Sequence, residues 1–198
     1  MSAIRLALAA ALMLPAAAHA QQMSPGYVFL KAIRDEDGNK VNDILGQPGQ
    51  TIINTKDRTT GEGALHIVVK RGDSAYLRYL LAKGADPNIR DGHGDTPMLL
   101  AVQAGQPEMV KILATAKANA NLANGSGETP LIRAVQRRDL TLVREVLAAG
   151  GNPDQTDNVA GLSARDYATR DARATAIAKL LDDTPKQAVR AVAGPKLR

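Results

Sequence analysis

Two short stretches carry the residues that invite a chemical reading: Gly92-His93-Gly94-Asp95-Thr96-Pro97 and Gly125-Ser126-Gly127-Glu128-Thr129-Pro130. Glycines around a carboxylate could cradle a phosphate, hold calcium or aim an acid at a substrate. A phosphate loop needs Gly-Lys-Ser/Thr, and a dinucleotide site needs a strand running into G-x-G-x-x-G. Neither follows here. Calcium needs acidic ligands at alternating positions and a closing Glu, and Asp91 and Asp95 alone are too sparse. The sequence holds no cysteine, and only His66 and His93 lie beyond the first twenty residues. No zinc ligand set can be assembled from them. No serine or threonine comes with a recognisable base and orienting acid. The expectation is a chain with no catalytic residues, no metal and no cofactor.

The two stretches are copies. They stand 33 residues apart, and the match runs on: Asn88 answers Asn121, Ala101 answers Ala134, and Leu113 answers Val146. Upstream, Leu65, Val68, Gly72 and Leu80 keep the same frame ahead of Met98, Ala101, Gly105 and Leu113. A fixed period of this length predicts a stacked array. Each part of the unit has a physical reason. Thr96 and Thr129 can cap a helix, and Pro97 and Pro130 suit its first position, where no N–H is needed. Met98, Ala101 and Val102 lie at helical spacing, the small Ala letting a neighbour approach. Gly72 and Gly105 end the first helix with positive φ. Val110 and Leu113, like Leu77, Leu80 and Leu81, form the apolar stripe of a second helix. Gly84 ends that helix, and Asp86-Pro87-Asn88 starts the turn to the next unit.

This pattern resembles the ankyrin repeat family, whose unit reads G-x-T-P-L-H-x-A, a glycine turn, an apolar helix ending in L-L, and G-A-D-x-N. Residues 94–101, 72 and 84–88 reproduce it, and the match is sharp over 57–154. The resemblance implies an all-α repeat fold, a solenoid of about five helix-turn-helix units with β-hairpin-like connecting turns. It also implies that His66, at the family's T-P-L-H position, hydrogen-bonds neighbouring turn backbones rather than reacting. The expected boundaries are a capping repeat at 25–50, repeats at 57–88, 90–121 and 123–154, and a C-terminal cap at 156–182. That cap shows Arg165, Arg170, Arg173 and Lys179, read as a polar outer face, as terminal repeats need. Residues 183–198 read as a flexible basic tail.

Residues 1–20 have one positive charge, an apolar run and Ala18-His19-Ala20, the layout of a secretory signal cleaved after Ala20. The run is too short to span a bilayer. The ankyrin domain then occupies 21–182, and a periplasmic or secreted chain without membrane insertion is expected. Loss of Arg5 lowers the formal charge from +5 to +4. Aromatic content of 3% leaves little to stack on nucleic acid bases.

The resemblance places partner contacts along the turn tips and the inner flank of each first helix. By register these are Arg90, His93, Asp95, Ser126 and Glu128 at the tips, and Lys70, Arg71, Gln103, Gln136, Arg137 and Arg170 on the flank, with Arg133 close by. A basic floor with an acidic rim suggests a protein partner presenting an acidic segment. A scaffold or stabiliser role competes with that of an immunity protein plugging a toxin or enzyme. Binding of an anionic envelope polymer or nucleic acid ranks well below both, and no small-molecule substrate is expected.

Overall fold

The computed structural model describes residues 24–47 and 52–185; the expected signal segment, the middle of the first link and most of the expected tail lie outside the described residues. Among the described residues ten α-helices are paired in chain order: α1 Pro25–Arg34 with α2 Gly38–Leu45, α3 Ala64–Arg71 with α4 Ser74–Ala82, α5 Pro97–Gln103 with α6 Pro107–Thr115, α7 Pro130–Gln136 with α8 Leu140–Ala148, and α9 Ala164–Arg170 with α10 Thr175–Asp182. The first helices stack in a row α1-α3-α5-α7-α9, and α4, α6, α8 and α10 stack behind them. One 3-10 turn, Ile52–Asn54, packs against α1. The fold is the all-α repeat solenoid expected.

Short polar caps start most of these helices. Thr96 accepts from the Leu99 N–H and Thr129 from that of Ile132, both at 3.2 Å, with proline at the first helical position. Asp73 and Asp139 cap α4 and α8 in the same way. Replacing such a cap costs about 0.5–2 kcal/mol. Positive φ ends the first helix at Gly72 (79°) and Gly105 (74°), but at the equivalent positions Glu36 (59°) and Arg138 (57°) carry it instead. Those two residues accept a left-handed conformation that glycine would adopt freely.

The core lies between the rows. Val68, Ala101, Ala134 and Ala168 occupy one register in the inner row, at most 1% exposed, and the small side chains let successive first helices close on each other. Leu77, Leu80, Val110, Leu113, Val143 and Val146 are fully buried from the second row; Leu81 is only half-buried. A ladder of asparagines ties the units: Asn54 Oδ1 accepts from the Asp86 N–H, Asn88 Oδ1 from Asn119, and Asn121 Oδ1 from Asn152. Arg165 departs from its expected place on the outer face of the last repeat. It is half-buried, ion-paired with Asp154 at 2.9 Å, and donates to the carbonyls of Leu181 and Thr184. Capping the end of α10 draws it inward.

Candidate docking groove

Four tips project in front of the inner row, at 57–62, 91–95, 124–128 and 157–162. Each is closed by one hairpin-like bond: Asp57 N to Glu62 O, Asp91 N to Asp95 O, Asn124 N to Glu128 O and Asp157 N to Leu162 O. The first residue's side chain pins the bend from inside. Asp91 Oδ1 accepts from the His93 and Asp95 amides, Asn124 Oδ1 from Ser126 and Glu128, and Asp157 Oδ1 from Val159, Ala160 and Gly161. Amide bonds from Thr59 and Thr60, with Arg34 beside it, pull Asp57 down to about 2. Burial pushes Asp157 up, but the Tyr167 hydroxyl and the tip amides outweigh it and hold it below its usual range.

Successive tips are strapped to one another through the backbone. Gly92 N donates to Thr60 O at 2.9 Å, Gly125 N to His93 O at 3.0 Å, and Asn158 N to Ser126 O at 2.9 Å. His66 adds a second tie. Its Nδ1 accepts from the Gly63 N–H at 2.9 Å and its Nε2 meets the Asp95 carbonyl at 3.0 Å, which makes Nε2 the protonated nitrogen. The ring is fully buried, and burial holds its pKa below the ordinary histidine value. The reason for a histidine here is local. Gly63 starts α3 without a hydroxyl, and a Cβ at 63 would stand 2.7 Å from Ile89 Cδ1. His66 therefore caps α3 from its third position, while Leu99 and Ile132 fill the same place behind Thr96 and Thr129.

The structure separates the named groove residues into groups. His93, Gln103, Ser126, Gln136, Arg137 and Arg170 are exposed. Lys70 is exposed too, with its ammonium on the Glu62 carboxylate. Glu128 is buried and its pKa is raised by that burial, with Arg133 opposing the rise through an ion pair. Arg90 donates to the Ala123 carbonyl at 2.6 Å across the tips, and Asp95 Oδ1 accepts from Asn124 Nδ2 at 2.9 Å. Arg71 faces elsewhere. It donates to Ile33 O at the end of α1, pairs with Asp73 and Glu36, and lies over the Tyr76 ring. The continuous basic floor is thus broken: Lys70 and Arg133 are neutralised by the tip carboxylates Glu62 and Glu128, and Arg71 serves the joint between repeats. Arg137 donates to Gln103 O at the end of α5, and neither it nor Arg170 is ion-paired with a carboxylate among the described residues.

A hollow of about 330 Å³ opens between the second tip and α5, lined by Lys70, Asp91, His93, Asp95, Leu100, Gln103 and Ala104. Counting two and three residues past the motif alanine reaches Gln103 and Ala104 but not Leu100. Residues three apart share a helix face, so Lys70, Gln103, Gln136 and Arg170 bring Ile67, Leu100, Arg133 and Tyr167 with them. That series, one residue before Val68, Ala101, Ala134 and Ala168, was readable in the repeat. Tyr167 donates to Asp157 Oδ2 at 2.6 Å. Among the described residues no group of three His, Asp or Glu could hold a metal ion, and no helix is long and apolar enough to cross a membrane.

The family model for ankyrin repeats in three copies matches residues 29–124, and that for a single ankyrin repeat matches 126–158. The chain belongs to the ankyrin repeat family. It is 39% identical over 79 residues, 40% of its length, to an ankyrin repeat protein of Acanthamoeba polyphaga mimivirus, covering 11% of that protein. It is 38% identical over 68 residues, 34% of its length, to neurogenic locus notch homolog protein 1 of Xenopus laevis, covering 3% of it. An ankyrin repeat protein of Pyrobaculum aerophilum matches at 49% over 41 residues, 21% of this chain and 15% of that one. The chain thus spans only a small part of each relative. Family membership makes it a protein–protein interaction module of a generally non-catalytic, scaffolding kind.

Proposed function

We propose that this chain is an exported docking protein that holds a partner protein along its inner groove as a scaffold or stabiliser, with no chemistry of its own. The observation that carries this reading is the strapped row of tips: backbone bonds and Asx acceptors consume the polar groups of each bend, so His93 and Ser126 stand outward on a rigid edge. A pre-ordered surface loses little entropy when it binds. The groove also has a direction. Leu100 and Ala104 floor the hollow beside the second tip, and Arg137 and Arg170 follow at the ends of α7 and α9. The partner segment this fits is extended, with an apolar side chain for the hollow and a carboxylate for the arginines.

The periplasmic or secreted location rests on the signal-like residues 1–20. Export with cleavage after Ala20 supports it, and uncleaved chain confined to the cytoplasm refutes it. For docking, the signal-free chain is used as bait in a periplasmic extract beside Arg137→Glu/Arg170→Glu. A protein recovered by the first and lost by the second supports the reading. Equal recovery removes the arginine end of the groove, and salt-labile recovery of nucleic acid or glycan in its place overturns it.

A further inference from the structure

The sequence holds a single Asn-Gly step, Asn124-Gly125, at the third tip. In that dipeptide the glycine nitrogen can attack the asparagine Cγ. A C–N bond forms, ammonia leaves with the displaced proton, and the resulting succinimide takes up water at either carbonyl to give aspartate or isoaspartate. Glycine makes the step fast because no Cβ obstructs the ring closure.

All the participating atoms are held in this structure. The attacking nitrogen, Gly125 N, donates to His93 O at 3.0 Å. Asn124 Oδ1 accepts from Ser126 and Glu128, and Asn124 Nδ2, the leaving amide, donates to Asp95 Oδ1 at 2.9 Å. Turning the side chain toward Gly125 breaks all three side-chain bonds, and freeing the nucleophile breaks the strap to the second tip.

Both halves of this labile dipeptide also contact the second tip. Asp57, Asp91 and Asp157 occupy the position of Asn124 in the other tips. At the third tip the facing group is the Asp95 carboxylate, so the donor of an amide is required. A Cβ at residue 125 would stand 3.1 Å from His93 O, a tight contact that the glycine avoids.

We infer that Asn124 is a conditional deamidation site, protected by the strap between the second and third tips and reactive only when they part. The reaction needs nothing but water. Its products act on the same joint. Aspartate at 124 keeps the Asx acceptor but sets a second carboxylate against Asp95, and isoaspartate adds a backbone atom to the bend. One opening event thereby becomes a permanent loosening in the middle of the docking edge.

The test uses the folded chain and the same chain in denaturant, incubated together in warm, mildly alkaline buffer and mapped by peptide mass spectrometry with isoaspartate detection. Conversion at Asn124 is expected to be at least about tenfold slower in the folded chain, since a tip-opening cost of even ~1.4 kcal/mol gives that factor. Equal rates overturn the inference. Asn124→Asp should lower the melting temperature, and adding Asp95→Asn, which restores a donor facing a carboxylate, should recover most of the loss. An Asn124→Asp protein as stable as the parent overturns the claimed effect on the joint.

Discussion

His66→Leu isolates the work of one imidazole. Leucine is the side chain the next repeat uses at this register, as Leu99, buried to the same extent, so the substitution keeps an apolar side chain of suitable size. What it removes is the acceptor for the Gly63 N–H and the donor to Asp95 O, at 2.9 and 3.0 Å. A buried backbone group left unpaired costs about 1–3 kcal/mol. Gly63 N–H bears this in full, because residue 63 is buried and His66 Nδ1 is its acceptor, while the Asp95 carbonyl lies in a half-buried tip. The sum is about 2–4 kcal/mol, or roughly 5–15 °C in melting temperature for a domain of this size. Thermal and urea unfolding followed by circular dichroism measure it. The same variant tests the charge state. Burial holds His66 below the ordinary histidine value in the fold, so the unfolded chain takes up the proton first. Its contribution is therefore complete above about pH 6.5 and falls as the pH drops through the folded pKa. The parent should lose stability over that window and His66→Leu should lose less. A cost under about 1 kcal/mol, or identical pH slopes, would refute the assignment of His66 as the cap of α3.

Other consequences follow from the same packing. Leu113→Ala, at a fully buried site between the helix rows, should cost about 2–5 kcal/mol by denaturant unfolding. Asn121→Ala strips partners from the Asn152 amide and the Gly150 carbonyl and should cost about 1–3 kcal/mol, with faster amide exchange at Asn152. Asp57, lowered to about 2 by the amides of its own tip, stabilises the fold above its unfolded value near 3.8, a contribution lost as pH falls toward 2. Asp57→Asn should flatten the acid limb of a stability profile in that window. Gly127→Ala places a Cβ 2.5 Å from Asn158 N at a φ of 77°, and should part the third and fourth tips, seen as faster exchange of the Asn158 amide.

The fold was legible because its determinants repeat: Thr-Pro, the alanine of the inner row and the leucines of the second row recur at one period, and each acts on its own helix. The groove was less so. Lys70–Glu62 and Arg133–Glu128 span a bend, at separations of eight and five residues, and only the tip conformation brings them together. Arg71 and Arg137 occupy one register, yet the first turns to α1 and a set of acids and the second to Gln103 O. Register says where a side chain starts and leaves open which neighbour takes it. The inward draw of Arg165 has the same origin, since its carbonyl acceptors at Leu181 and Thr184 belong to the end of another helix. Asn88 and Asn121, read as turn residues, turned out also to be the rungs between repeats, a role visible only once the units are stacked.

The central claim is that the edge formed by the tips and inner helices is where a partner protein sits. Photocrosslinking tests it most directly, with one photoreactive residue at Gln103 beside the hollow or at Thr115 on the outer row, each exposed in the free chain. The account predicts covalent capture of the recovered partner from position 103 and none from 115. Capture from 115 with none from 103 would contradict it.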